Sequence, residues 1–317
     1  MKFGRSSTPS NSFQLVVDEE GQFATMTGLN SLSEALQVTR DEFREVAASA
    51  PREQIAPPRL LAPVSRETEV WGVGVTYLRS RDARTHESVN PNVYERVYDA
   101  DRPELFFKST ATRVVGHGQK IGIRFDSVSS VPEPEIAIVV NRFREVVGYT
   151  ICNDVMARGI EGDNPLYLSQ AKIYVSSTAL GPDITPIWEV PNAREMGIRA
   201  EIVPSGALIW RAETSFGKLH RTLEDLIEYL FRCQTFPCGV ILSTGTGIVP
   251  PPDVNLQDGD LVKISVDGLG ELANEVEVLP AERSCFRSAL SATTGYSDSM
   301  AARLSRTVVD SIRLNSV

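Results

Sequence analysis

The stretch PEPEIAIVV, residues 132–140, places Glu133 and Glu135 one residue apart, each behind a proline, at the head of an apolar run. Strand side chains alternate between faces, so residues i and i+2 project the same way. Two carboxylates on one face of a buried strand repel each other. Each also resists desolvation unless something positive lies between them. The stretch therefore predicts a buried strand that opens on a cation site.

The segments EIAIVV and EVVGYTIC flank the short connection NRFRE. A hairpin there centres near residue 143 and reflects Glu133 onto about residue 153, which brings Asp154 beside the two glutamates. Three oxygen ligands with room for water and substrate suit Mg²⁺, or Mn²⁺ or Ca²⁺, better than zinc. The alternative, two solvated glutamates at a strand edge, stays open on these residues alone.

Working outward, EVWGVGVTY, ELFFKST, IRAEIVPS, ALIWRAE, GVILSTG, DLVKISV and ELANEVEV join the two hairpin arms as predicted strands. NRFR, PSG, QDGD and VDGLG mark the turns. Lys218 to Phe231 is the clearest helix, with Leu219, Leu223, Leu226, Ile227 and Leu230 on one side. So many strands with few helices predict an α+β, β-rich fold, a distorted barrel or rolled mixed sheets.

Residues 1–65 read as a small αβ unit. There FQLVVD and FATMTG pair around EEGQ, and SLSEALQVTRDEFREVAAS forms one helix opened by a Ser31/Glu34 capping box. Residues 66–281 form the main domain. Residues 282–317 are a tail with one thin helical stripe, Met300, Leu304, Val308 and Ile312.

The net charge of −9 argues against nucleic acid as a partner. No stretch approaches the ~20 apolar residues of a membrane span, and the N-terminus lacks the apolar core of a secretory signal. Cys152, Cys233, Cys238 and Cys285 form no C-x-x-C pair, which predicts reduced thiols in a cytoplasmic protein.

VPEPEIAIVV, GYTICNDVMAR, LSQAKIYVSSTALGP, ILSTGTGIVPP and LQDGDLVKISVDGLGEL occur in that order over roughly residues 68–280. Together they resemble the fumarylacetoacetate hydrolase family. The resemblance implies a mixed β-roll around a metal site, usually in a homodimer. It implies that Glu133, Glu135 and Asp154 hold Mg²⁺, that Lys172 is the family's lysine, and that Thr244, Gly245 and Thr246 are its TGT turn. Backbone N–H groups of such a turn can hold a substrate carboxylate, which makes Gly245 and Thr246 substrate-binding candidates.

One departure is informative. Hydrolytic members usually carry G-x-N-Y-x-x-H, whose histidine activates water. Here GVTYLRSRDARTHES has Thr76 for the asparagine and Ser80 for the histidine. His86 lies six residues on, in an expected loop. GVTYLRSRDA, YERVYDADRPELFFKSTATRVVGHG and EGDNPLYLSQAKIY instead resemble the branch that dehydrates 2-keto-3-deoxy sugar acids such as 2-keto-3-deoxy-D-arabinonate. By that resemblance Glu104 is the acidic catalytic residue and Lys172 completes the site. Lys108 and Ser80 are further substrate-binding candidates, and Arg158 is expected to orient Asp154.

The chemistry fits these residues. A 2-oxo acid chelates a divalent ion through its carboxylate and keto oxygens, which acidifies C3. The enolate left by proton removal then expels the C4 hydroxyl, aided by an acid. Lys172 near a cation is expected to have a lowered pKa. The readings are a Mg²⁺-dependent lyase giving a 2,5-dioxo acid, a metal-dependent C–C hydrolase of 1,3-dicarbonyl compounds or acylpyruvates, an oxo-acid decarboxylase or tautomerase, and a non-catalytic protein that keeps the metal for stability. The partner implied is a small 2-oxo acid.

Overall fold

The computed structural model describes residues 1–8, 13–87, 91–204 and 208–281 of the 317-residue chain. The helix expected within 282–317 lies outside the described residues.

The strand Pro134–Val140 is buried along its whole length, and the reason lies on both its faces. Ile136, Ile138 and Val140 enter one apolar core, while Ala137 and Val139 enter a second. A strand covered on both sides needs no polar alternation, so it reads as an unbroken apolar run. It pairs antiparallel with Val146–Asp154 on one edge and with Val240–Ser243 on the other. The hairpin register sets Pro134 against Asn153 and Val140 against Val146, with an irregularity between Val139 and Val140. Glu133 therefore stands across from Asp154, whose backbone N–H donates to Glu133 O at 3.0 Å.

These strands sit in the middle of a twelve-stranded sheet, counted among the described residues. On one side follow Thr178–Pro186, Lys2–Ser7, Phe13–Glu19, Gln22–Met26 and Arg52–Ile55. On the other side follow Glu69–Gly74, parallel to Val240–Ser243, and then Glu104–Thr110. A five-stranded sheet runs Trp210–Ser215, Gly197–Pro204, Asp260–Val266, Gly270–Leu279, Ile121–Arg124. Ile198, Ala200, Ile202, Val262 and Ile264 from it meet Ile136 and Ile138 in the first core. The fold is α+β and strand-rich, with both sheets mixed.

The hairpin Phe13–Glu19/Gln22–Met26 turns through Glu20 and Gly21, both at positive φ. The first strand adds to the large sheet through Phe3 opposite Ile184. The single helix expected after it is two helices, Leu32–Ala35 and Arg40–Ser49. Thr39 causes the break: its hydroxyl accepts from the Glu42 N–H while the Glu42 carboxylate accepts from the Thr39 N–H, a complete capping box that starts a new helix. Ser31 makes only half of one, because Glu34 turns to the Asn30 N–H.

The helix expected from Lys218 begins later, at Leu223, capped by Thr222. The preceding residues are held elsewhere, with the His220 N–H donating to Thr76 O at 2.9 Å. The strand Thr178–Pro186 escaped the pattern because it carries Gly181, Pro182 and Pro186, residues depleted in strands. Leu78–Glu87 is a helix that buries Ser80 and Arg84 one turn apart, so His86, expected in a loop, is helical.

Candidate active site

The head of Pro134–Val140 and the end of Val146–Asp154 deliver Glu133, Glu135 and Asp154 to one point. One oxygen from each lies within 4.8 Å of the other two, and all three residues are buried. Opposite ligands of a Mg²⁺ octahedron are about 4.2 Å apart, and those of Ca²⁺ roughly 5 Å. An all-carboxylate donor set at this spacing fits a hard divalent cation.

Glu135 is clamped from the TGT turn. The Ser243 hydroxyl and the Gly245 N–H donate to its Oε2 at 2.5 and 2.7 Å. The turn is itself stitched to the same strand, Thr244 Oγ1 donating to Ile136 O and Thr246 Oγ1 to Pro134 O. Gly245 has φ +94°, and a Cβ there would come within 2.0 Å of Thr76 Oγ1. Only glycine fits. The N–H considered for a substrate carboxylate is thus engaged by Glu135, while Thr246 still lines the cavity.

The edge strand Glu104–Thr110 supplies the next layer. Alternation sends Glu104 and Phe106 to one face, and an irregularity in the pairing with Glu69–Gly74 falls at Lys108. Glu104 and Phe106 line the cavity together with Ser80, Arg84, Glu161 and Lys172. Glu104 faces Gly74 on the neighbouring strand, where a Cβ would lie 2.1 Å from Glu104 Oε2, so the carboxyl occupies space that any other residue would take. Lys108 has no exposed surface. Its ammonium stands 2.6 Å from Asp154 Oδ1 and donates to the carbonyls of Lys172 and Val155. It lies behind the carboxylates and ties the Lys172 backbone to them, instead of facing the cavity as expected for a substrate contact.

Lys172 ends the short helix Leu168–Lys172. Its Nζ donates to Asp154 Oδ2 at 2.8 Å and to Glu133 Oε2. Arg84 Nη2 also donates to Glu133, and its Nη1 to Glu87 at 2.9 Å. Arg158 does not reach Asp154: its Nη groups donate to the carbonyls of Pro250 and Pro251, and its Nε faces Glu87 at 3.6 Å. His86 is on the exposed side of its helix, its Nδ1 2.6 Å from Asp82 O.

Electrostatics follow from this crowding. Burial first, then Asp154 and Glu133, push the Glu135 carboxyl up to about 8. A bound cation relieves such a surplus of negative charge. Burial first, then Glu161, raise Glu104 to about 7, against the opposing pull of Lys172 and Arg84. Burial works against the Lys172 ammonium, yet Asp154, Glu133, Glu161 and Glu135 outweigh it and raise its pKa. The carboxylates Lys172 touches stabilise its charge more than burial opposes it.

Arg84 and Glu161 escaped the sequence reading. Glu161 opens the branch-like segment EGDNPLYLSQAKIY and Arg84 directly follows GVTYLRSRDA, but helices, not alternation, aim them inward.

The fumarylacetoacetate (FAA) hydrolase C-terminal domain model matches residues 69–277, and the chain belongs to the fumarylacetoacetate hydrolase family. Within it, the chain is 42% identical over 228 residues to the 2-dehydro-3-deoxy-D-arabinonate dehydratase of Saccharolobus solfataricus, covering 71% of this chain and 76% of the relative. It is 44% identical over 214 residues to a probable 2-keto-3-deoxyxylonate dehydratase of Haloferax volcanii, covering 68% and 73%. A solved 2-keto-3-deoxy-D-arabinonate dehydratase, complexed with magnesium and 2,5-dioxopentanoate, superposes with a TM-score of 0.77 at 32% identity, over 88% of this chain and 99% of that one.

Proposed function

We propose that this protein is a Mg²⁺-dependent hydro-lyase that dehydrates a 2-keto-3-deoxy sugar acid of the 2-keto-3-deoxy-D-arabinonate type to 2,5-dioxopentanoate. The observation that carries the reading is one cavity holding three converging carboxylates with Glu104 and Lys172 beside them, and Ser80 where hydrolytic relatives place a histidine. The similarity to two dehydratases above 40% identity supports the same branch.

Glu133, Glu135 and Asp154 hold the divalent ion, and Ser243 and Gly245 fix Glu135 for that task. When bound, the ion supplies Lewis acidity at the substrate's C2 carbonyl. Glu104, whose pKa near 7 suits proton transfer in both directions, takes a C3 proton and returns one to the departing C4 hydroxyl. Lys172 donates a hydrogen bond where negative charge develops on the substrate. Loss of water leaves an enone whose C5 C–H and O–H protons transfer to C3 and C4, which gives the 2,5-dioxo acid. Lys108 is a positioning residue that holds Asp154 and the Lys172 backbone. Ser80 and Thr246 line the substrate space.

The proposal extends to a homodimer, the usual state of the family, and to a cytoplasmic setting, supported by free Cys152, Cys233 and Cys238. Residues 1–65 are an accessory αβ unit and 66–281 the catalytic unit. No helix among the described residues is long and apolar enough to cross a membrane.

The test is a panel of 2-keto-3-deoxy acids and acylpyruvates with product mass as the readout. Loss of one water from a 2-keto-3-deoxypentonate is expected. Cleavage of an acylpyruvate into two acids, with no water loss from the sugar acids, would overturn the reading.

A further inference from the structure

The motif EGDNPLYLSQAKIY brings Lys172 to the reaction, yet its first residue, Glu161, has no task in the mechanism above. Glu161 sits in the helix Arg158–Asp163, is 6% exposed and lines the same cavity as Glu104 and Lys172. Its Oε1 has two loose neighbours, the Tyr94 hydroxyl at 3.4 Å and Arg84 Nε at 3.8 Å. Its Oε2 is buried and has no hydrogen-bond partner among the described residues. A buried carboxylate oxygen without a donor is unfavourable, and in a cavity wall it is completed by a donor from whatever fills the cavity.

Position decides which donor that is. Arg84 spans from Glu133 to Glu161, so Glu161 stands one guanidinium away from the three carboxylates. A 2-oxo acid anchored there through C1 and C2 lays C3 and C4 against Glu104 and Lys172. C5 is the substrate carbon left for Glu161, which lines the same cavity. In a 2-keto-3-deoxypentonate, C5 is a hydroxymethyl group, an O–H donor of the kind a lone carboxylate oxygen accepts. A methyl end leaves Oε2 unpaired, and a second substrate carboxylate meets it as like charge.

We propose that Glu161 is the specificity-determining residue for the far end of the substrate. Its Oε2 accepts a hydrogen bond from the terminal hydroxyl and so selects 2-oxo acids ending in hydroxymethyl over those ending in methyl or carboxylate. The inference rests on the 2-oxo-acid reading of the site.

The test uses ligands that lack a C4 hydroxyl and do not turn over. The full-length Mg²⁺-loaded protein is titrated by calorimetry with 5-hydroxy-2-oxopentanoate and with 2-oxopentanoate. The wild type is expected to bind the hydroxylated acid roughly 10- to 100-fold more tightly, the range for a charge-assisted bond to a buried acceptor. Glu161→Ala should bring the two within about threefold of each other and leave 2-oxopentanoate nearly unchanged. Equal wild-type affinities overturn the proposal. So does a parallel loss for both ligands with the ratio preserved in Glu161→Ala, which is the signature of a residue that merely holds Arg84. Binding of neither ligand by the wild type overturns the 2-oxo-acid reading and this inference with it, whereas binding of 2-oxopentanoate by itself upholds that reading.

Discussion

Gly74→Ala moves one catalytic carboxyl without touching it chemically. The new Cβ would lie 2.1 Å from Glu104 Oε2 and 2.8 Å from its Cδ. Ordinary carbon–oxygen contact is about 3.3 Å, so the carboxyl must retreat by roughly 1 Å. It is the free end of a flexible side chain and can do so. A misplacement of that size can cost about 10²-fold in rate, and full loss of a general acid–base group about 10²- to 10⁴-fold. Stability should hardly change. Gly74 has no positive φ, so alanine fits its backbone and gains about 0.4–1 kcal/mol through the unfolded chain. A Glu104 rotamer pushed off its minimum costs about 0.5–1.5 kcal/mol, which nearly offsets this. The assay has three parts: product formation for kcat, thermal unfolding for Tm, and a Mg²⁺ isotherm. The expected result is kcat reduced about 10²-fold or more, Tm within about 4 °C of wild type, and unchanged Mg²⁺ affinity. Wild-type kcat would show that the Glu104 carboxyl had not been displaced from a catalytic position. A large fall in Tm would refute the reasoning, since the backbone rather than the carboxyl would have yielded.

Glu104→Gln should remove at least two orders of magnitude from kcat/KM, together with the limb that rises with pH as Glu104 ionises. That limb is expected at or below about pH 7, because a bound cation lowers the value set by burial and Glu161; a limb that survives in the variant would exclude Glu104 as its source. Glu135→Gln should weaken Mg²⁺ binding and abolish turnover, and Mg²⁺ at 100 times its Kd should stabilise the wild type by about 2.7 kcal/mol. Full activity in metal-free buffer would contradict that. Asp183, far from the cavity, is pushed up from 3.8 to about 6 by burial first and Asp18 next, with Lys2 opposing. Folding then favours its protonated form, so its contribution is full below about pH 4 and is lost as pH rises to about 6, a change of about 3 kcal/mol. Asp183→Asn should flatten that segment of the stability–pH curve; an identical slope in variant and wild type would show that Asp183 is not its source.

What the chain alone determined is local and periodic. Glutamates at positions i and i+2 must share a strand face, and a short connection between two apolar arms must fold them back. Asp154 therefore met Glu133 where reflection about residue 143 put it. Capping was legible in kind but not in outcome. Ser31 and Thr39 carry similar signals, and only the one whose glutamate turned back to it closed a complete box.

Tertiary structure decided what lies behind and opposite each group. Lys108 and Glu104 lie on one edge strand, yet one is sealed behind Asp154 and the other opens on the cavity, with an irregularity in the strand pairing at Lys108 between them. The pKa of Lys172 rises because chain segments far apart in sequence set Asp154 and Glu133 against its ammonium. Burial and charge depend on neighbours in space, and no spacing along the chain encodes them.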